Sequence, residues 1–195
     1  MTTLVVAAYA PELAELAELD RLPADVIARA VGIGLIDSAA GTVRALAELR
    51  PARVILVGTA GALPQTGYAI GTVCTVVVST LAVRPCEFVP EPMITLVESD
   101  GALVARGRAL GLPTADCVSG VGITRDEDEA RRLFAGAHLE HLECFSVLRV
   151  CAQAGVPAVA LLAIANRVGP NAHAEWRANR VAAEAAVQAA LLRLL

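Results

Sequence analysis

The chain has 195 residues, 56% of them hydrophobic and 18% charged, with a formal net charge of −4. That length suits one domain over residues 1–195 with a full core, and a mean hydropathy of +0.60 is too apolar for a disordered chain. The acidic balance leaves no basic surplus for nucleic acid. All 16 basic residues are Arg, so Schiff-base lysine chemistry and a P-loop lysine are excluded.

Strand-like and helix-like segments alternate, which predicts an α/β fold. Residues 3–8 (TLVVAA) read as a first strand. Pro11 stands where helices start, and Leu13, Leu16 and Leu19 follow at helical spacing. Residues 25–33 read as a short strand and 37–49 as a helix with Asp37 or Ser38 as its N-cap. Residues 53–58 and 72–79 read as strands, and 80–98, with three prolines, as an irregular excursion holding at most one strand. A helix over 100–110, a strand over 115–122 and a charged helix over 125–134 follow. Residues 143–154 read as a helix closed by Gly155, 157–165 as a buried strand, and 173–195 as a long amphipathic helix.

Residues 54–83 carry no charge, which by length alone would allow a membrane span. Pro64, Gln65, Gly67 and Gly71 interrupt the run, and two buried strands joined by a turn fit it better. No basic stretch precedes the apolar start, so no signal peptide is expected. Cys74, Cys86, Cys117, Cys144 and Cys151 are odd in number and form no CxxC pair. Reduced thiols in the cytoplasm are the expectation.

Several residues admit both a structural and a chemical reading. VGIG (31–34) is half of a dinucleotide fingerprint, but Asp37 stands where the third glycine belongs. VGTAGAL (57–63) is either a tight strand-to-loop turn or a backbone that must approach a ligand at the carboxyl end of a sheet strand. Glu143 opens a helix, as a dipole partner or as an acceptor for ligand hydroxyls. Asn166 follows the apolar strand ALLAIA as a turn residue or a site residue. Glu12, just past the first strand, is by itself an ordinary first-turn acid. His138 and His141 lie three apart with no companion ligand pattern, so structural or surface roles are expected rather than a metal site.

Four segments in order resemble the nucleoside phosphorylase and nucleosidase superfamily. They are TLVVAAYAPELAEL (3–16), VGIGLIDSAAGTVRAL (31–46), VILVGTAGAL (54–63) and HLECFSVLRVCAQAGVPAVALLAIANRVG (141–169). The last resembles a methionine-glutamate-glycine step, a helix, a valine-proline and a strand ending in serine-aspartate or serine-asparagine. The nearest likenesses are to methylthioadenosine/S-adenosylhomocysteine nucleosidases and, through ANRVGPNAHAEW (165–176), to futalosine hydrolases.

The resemblance implies a three-layer α/β/α sandwich with a mixed central sheet, acting as a purine nucleoside N-ribosyl hydrolase. Glu12 would activate the attacking water, Glu143 would bind the ribose hydroxyls, and Asn166 would contact the leaving purine near N7. Leu142 would line the sugar pocket in place of the family methionine, Thr59, Ala60 and Gly61 would surround the sugar, and Ile123 would offer main-chain contacts to the base. It implies a small nucleoside as partner, no nucleic acid, no membrane, a homodimer, and no metal or organic cofactor.

Phosphorolysis is the rival reaction, and a nucleoside-binding member without turnover is the non-enzymatic one. Many bacterial phosphorylases of the family carry a GDPxR turn after the first strand, where this chain has AYAPEL (8–13), and several carry an Arg where Leu56 stands. Arg44 and Arg84 are the remaining candidates for binding phosphate. Asn166 replaces the aspartate of adenine-releasing relatives; an amide hydrogen-bonds but cannot hand over a proton, which tilts the expectation toward 6-oxopurines.

Overall fold

The computed structural model describes residues 2–14, 16, 22–84 and 87–195. Leu19 of the proposed first helix and Cys86 lie outside the described residues. The strands are β1 (Thr3–Ala7), β2 (Val26–Ala30), β3 (Arg53–Ala62), β4 (Val73–Leu81), β5 (Leu96–Glu98), β6 (Thr114–Ser119), β7 (Leu139–Glu140) and β8 (Ala158–Arg167). The helices are α1 (Gly34–Leu49), α2 (Gly101–Ala109), α3 (Glu127–Leu133), α4 (Cys144–Gln153) and α5 (Ala172–Leu194), with a 3-10 turn at Ala10–Leu13.

The sheet is mixed. β1 runs parallel to β2 and β3, β3 to β8, and β6 to β4 and β7. β7 is antiparallel to β3, and β4 to both β5 and β8. The pairings β3–β8–β4–β6–β7–β3 close on themselves, which removes two potential edges. Period-two alternation sorts the strand residues into two cores. Leu4, Val6, Val54, Leu56, Leu162 and Ile164 pack with Leu46 of α1 and Val147 and Leu148 of α4. Val5, Ala7, Ile55, Val57, Val159 and Leu161 pack with Leu103 of α2 and Val187 and Leu191 of α5. A sheet between two helical layers is the three-layer arrangement expected. Each buried Leu or Val contributes about 1.5–3 kcal/mol relative to exposure. The uncharged run 54–83 is β3, a turn and β4, and no helix among the described residues is long and apolar enough to cross a membrane.

Three local expectations are corrected. α1 begins at Gly34, not at Asp37 or Ser38, and its N-cap residue Ile33 makes no side-chain cap bond; the Ser38 hydroxyl instead donates back to the Gly34 carbonyl at 2.6 Å. β8 does not stop before Asn166 but runs through it to Arg167. The strand β7, only two residues long, was not predicted, because two residues show no period. Gly155, at φ +68°, closes α4 as expected.

Candidate active site

The carboxyl ends of β1, β3 and β8 meet the β7–α4 junction and the first turns of α5 around one cavity of about 320 Å³. Open α/β sheets bind ligands at this end of their strands. Of the residues singled out from sequence, Glu12, Thr59, Gly61, Ile123, Leu142, Glu143 and Asn166 all line it. Ala60 does not. Alternation along β3 turns its side chain to the opposite face, into the core with Leu56 and Ile164.

Glu12 is 3% exposed. The 3-10 turn after β1 swings it back so that its carboxylate accepts from the Ala8 N–H at 3.1 Å and the Thr59 N–H at 3.3 Å. From α5, Gln188 Nε2 donates to the Glu12 carbonyl at 2.8 Å and anchors the turn. Burial, and next the negative charge of Glu143, push the Glu12 carboxyl up to about 8; the two backbone N–H groups pull the other way. Glu12 therefore holds its proton to a higher pH than an ordinary carboxyl does.

Glu143 is 4% exposed and occupies the N-cap position of α4 without capping it. Its Oε1 instead accepts from the Gly34 N–H at 2.6 Å. The VGIG turn thus has an assignable purpose: Gly32 and Gly34 take φ values of +110° and +80°, where side chains are strained, and the first N–H of α1 is aimed at a carboxylate. That use of the turn leaves no third glycine and no dinucleotide fingerprint to explain.

Asn166 reaches the cavity through a change of register. Ala60 pairs with Ile164, but Gly61 pairs with Asn166, so one residue of β8 is extra, as in a β-bulge. Without it Asn166 would lie opposite Ala62, whose side chain is in the core. The Asn166 amide donates to the Arg167 carbonyl at 3.0 Å. The glycines of β3 make room for site side chains. A Cβ on Gly61 would stand 3.0 Å from Asn166 Nδ2, and one on Gly58 2.8 Å from His141 Nε2 and 3.3 Å from Glu12 Oε1. The close approach anticipated for this turn is to the protein's own polar groups.

Sequence reasoning missed the polar and aromatic lining residues Tyr9, Glu140, His141, His173 and Trp176, as well as Ala8, Ile33 and Ala172. The Trp176 indole N–H donates to Thr59 Oγ1 at 3.0 Å, His173 stacks on it, and Arg180 lies over its ring. Tyr9 donates its hydroxyl to Glu184 at 3.1 Å. Glu140 receives the N–H and hydroxyl of Thr124, which fixes the loop bearing Ile123; burial raises its pKa. His141 is buried between Gly58 and Glu143 rather than structural at a distance from the site, and burial lowers its pKa. The signal for it was present in the sequence as the HLE step beside Glu143. His138 stays outside the cavity, its Nδ1 accepting from the Asp116 N–H.

The model of the phosphorylase superfamily matches residues 14–195 of this chain, a span that begins just after Glu12. No curated protein matches the sequence. Among solved structures, futalosine hydrolase of Helicobacter pylori is similar at 18% identity and a TM-score of 0.90, covering 100% of this chain and 97% of that one. The 5′-methylthioadenosine/S-adenosylhomocysteine nucleosidase of Neisseria meningitidis, in complex with methylthio-immucillin-A, is similar at 17% identity and a TM-score of 0.89, covering 99% and 97%. The corresponding nucleosidase of Streptococcus pneumoniae with a transition-state inhibitor matches at 17% and 0.88, covering 100% and 98%. At such identities these likenesses concern the fold.

Proposed function

The chain belongs to the phosphorylase superfamily, and from that premise we propose that it is a purine nucleoside N-ribosyl hydrolase, releasing the free base and ribose. The observation that carries this reading is the convergence of Glu12, Glu143 and Asn166 on one cavity. Cleavage of an N-glycosidic bond builds positive charge on the sugar and negative charge on the base, and each needs its own partner. In this reading Glu143 accepts hydrogen bonds from the ribose hydroxyls and steadies the cationic sugar. The Asn166 amide donates toward N7 of the leaving base. Water attacks C1′, forming a C–O bond as the C1′–N9 bond breaks and its electron pair passes to the base. Glu12 takes the proton released by the water, a contribution of roughly 10²–10⁴ in rate. Because an amide supplies no proton, the base leaves as an anion and is protonated from solvent, which suits 6-oxopurines such as hypoxanthine.

Hydrolysis rather than phosphorolysis is supported by the cavity wall, which includes no Arg among the described residues. Burying a phosphate dianion without such partners is costly. Arg44 is exposed on α1, and Arg84 lines an adjoining cavity that shares Ile123 and Glu140 with this one. A homodimer belongs to the same reading. Ile33 and Ile123 line the cavity yet are 60% and 54% exposed, and a second copy would cover them; sedimentation of the purified protein decides this.

The test is base release from inosine, guanosine, adenosine, methylthioadenosine and futalosine, with and without phosphate. Release without phosphate is expected. Release only with phosphate refutes hydrolysis. Tight nucleoside binding with no release identifies a binding protein.

A further inference from the structure

Glu140 has no part in the chemistry above, yet it lines the same cavity as Asn166 and is only 8% exposed. Both residues are tied to one backbone position. Gly61 of β3 pairs with Asn166 of β8 on one side and with Glu140 of β7 on the other. Residues paired across strands share a face of the sheet, and here that face lines the cavity. Leu139, next to Glu140, turns the other way into the core together with Ala62, its partner on β3. Two strand spacings, about 9.6 Å, separate the Asn166 and Glu140 backbones. Gly61 between them carries no side chain, and a Cβ there would stand 3.0 Å from Asn166 Nδ2. The result is a slot with an amide on one wall, a carboxylate on the other and bare backbone as its floor.

The two walls differ in what they offer. Asn166 spends one amide hydrogen on the Arg167 carbonyl, and its second is left to donate to N7 or to an oxygen at position 6. Glu140 receives the Thr124 N–H at 3.1 Å on Oε1 and 3.2 Å on Oε2, and the Thr124 hydroxyl on Oε1 alone. An ionised carboxylate offers about four acceptor sites, so Oε2, which has only a share in one N–H, retains an open lone pair. Burial opposes that charge, and the Thr124 donors favour it. With N7 at the amide, the purine edge that runs from N7 past position 6 to N1 spans the slot and brings N1 to the carboxylate. A 6-oxopurine carries a hydrogen on N1, whereas adenine has a bare lone pair there.

We propose that Glu140 is a specificity-determining residue of the base site: its carboxylate accepts the N1–H of a 6-oxopurine and turns away adenine, whose bare N1 would set lone pair against lone pair. Guanine, with a further donor at C2, suits the same acceptor. The proposal deepens the nucleosidase reading and rests on it. Thr124 is then a positioning residue, which occupies Oε1 and leaves Oε2 to the base.

Calorimetric titration with hypoxanthine and with adenine tests this. The wild-type protein should bind hypoxanthine about 10-fold or more tightly than adenine, the scale of leaving a charged acceptor unpaired. Glu140→Gln keeps an oxygen for Thr124 and presents an N–H in place of Oε2, so the ratio should fall about fivefold or more, chiefly because adenine binds better. Thr124→Val removes the hydroxyl donor but keeps the carboxylate; it should weaken both bases alike and leave the ratio within about twofold of wild type. A wild-type ratio near one or in favour of adenine overturns the proposal, as does a ratio unmoved by Glu140→Gln. A ratio that falls equally in Thr124→Val reduces Glu140 to an anchor of its loop and also overturns it. Base release from nucleosides separates the two claims. Release with an unmoved ratio refutes Glu140 as a reader of the base and leaves the nucleosidase standing; no binding of either base together with no release refutes the nucleosidase reading, and this proposal with it.

Discussion

Glu12→Gln separates the chemistry of Glu12 from its cost to folding. The Glu12 carboxyl stands at about 8 in the folded protein against an ordinary 4.5. A raised folded value means that the native state binds the proton more tightly than the unfolded chain. The resulting stabilisation is complete below about 4.5, declines as pH rises through the window up to about 8, and is gone above it. At about 1.4 kcal/mol per pKa unit, the wild-type protein loses roughly 3–6 kcal/mol from this group across that window. Glutamine does not titrate. It carries a fixed penalty instead: Glu12 accepts two backbone N–H groups, and an amide that accepts one must present its own N–H to the other, costing about 1–3 kcal/mol. Glu12→Gln should therefore be less stable than wild type at pH 5 and more stable at pH 9. Urea unfolding of both proteins at pH 5, 7 and 9 measures this, and groups common to the two cancel in the difference. Turnover should vanish in the variant, and in the wild type should climb with pH toward about 8 as the base deprotonates. A stability difference that stays constant from pH 5 to 9 would refute the account of Glu12 as a buried, proton-holding carboxyl.

Gly58→Ala puts a Cβ 2.8 Å from His141 Nε2 and should cost about 1–3 kcal/mol of stability by overpacking together with most of the turnover, whereas Gly67→Ala, with no atom within 4 Å, should leave both unchanged; thermal melts and initial rates of the pair check this. Asn166→Asp should move base preference toward adenine nucleosides by restoring a group that can carry a proton to N7, and competition between adenosine and inosine reads it; an unmoved ratio would show that Asn166 does not read the base. Trp176→Phe removes the donor to Thr59 Oγ1 and should cost about 1 kcal/mol in stability, with thermal unfolding as the readout. Ligand titration of the wild type should change its tryptophan emission, since that ring lines the cavity; an emission unaffected by a ligand that calorimetry shows to bind would place the ligand elsewhere.

Local signals in the sequence establish the α/β class, nearly all strands and helices, and about half of the residues around the cavity. These signals are continuous apolar runs such as Val54–Val57 that read as buried strands, a positive-φ glycine at Gly155, and acids standing just past strand ends. Tertiary structure alone decided which of these residues meet. Glu12 is an ordinary helix-start acid until β3 and α5 bury it against Thr59 and Gln188. Asn166 looks like a turn residue because its place opposite Gly61 comes from a register shift between two strands about 100 residues apart, which no local window contains. Ala60, between Thr59 and Gly61, turns its side chain into the core, as strand alternation requires. The VGIG turn and His141 gain their meaning only from Glu143, to which Gly34 is joined across 109 residues. Sequence patterns record what each segment buries. Which buried polar groups face one another is fixed only when segments distant in the chain pack together.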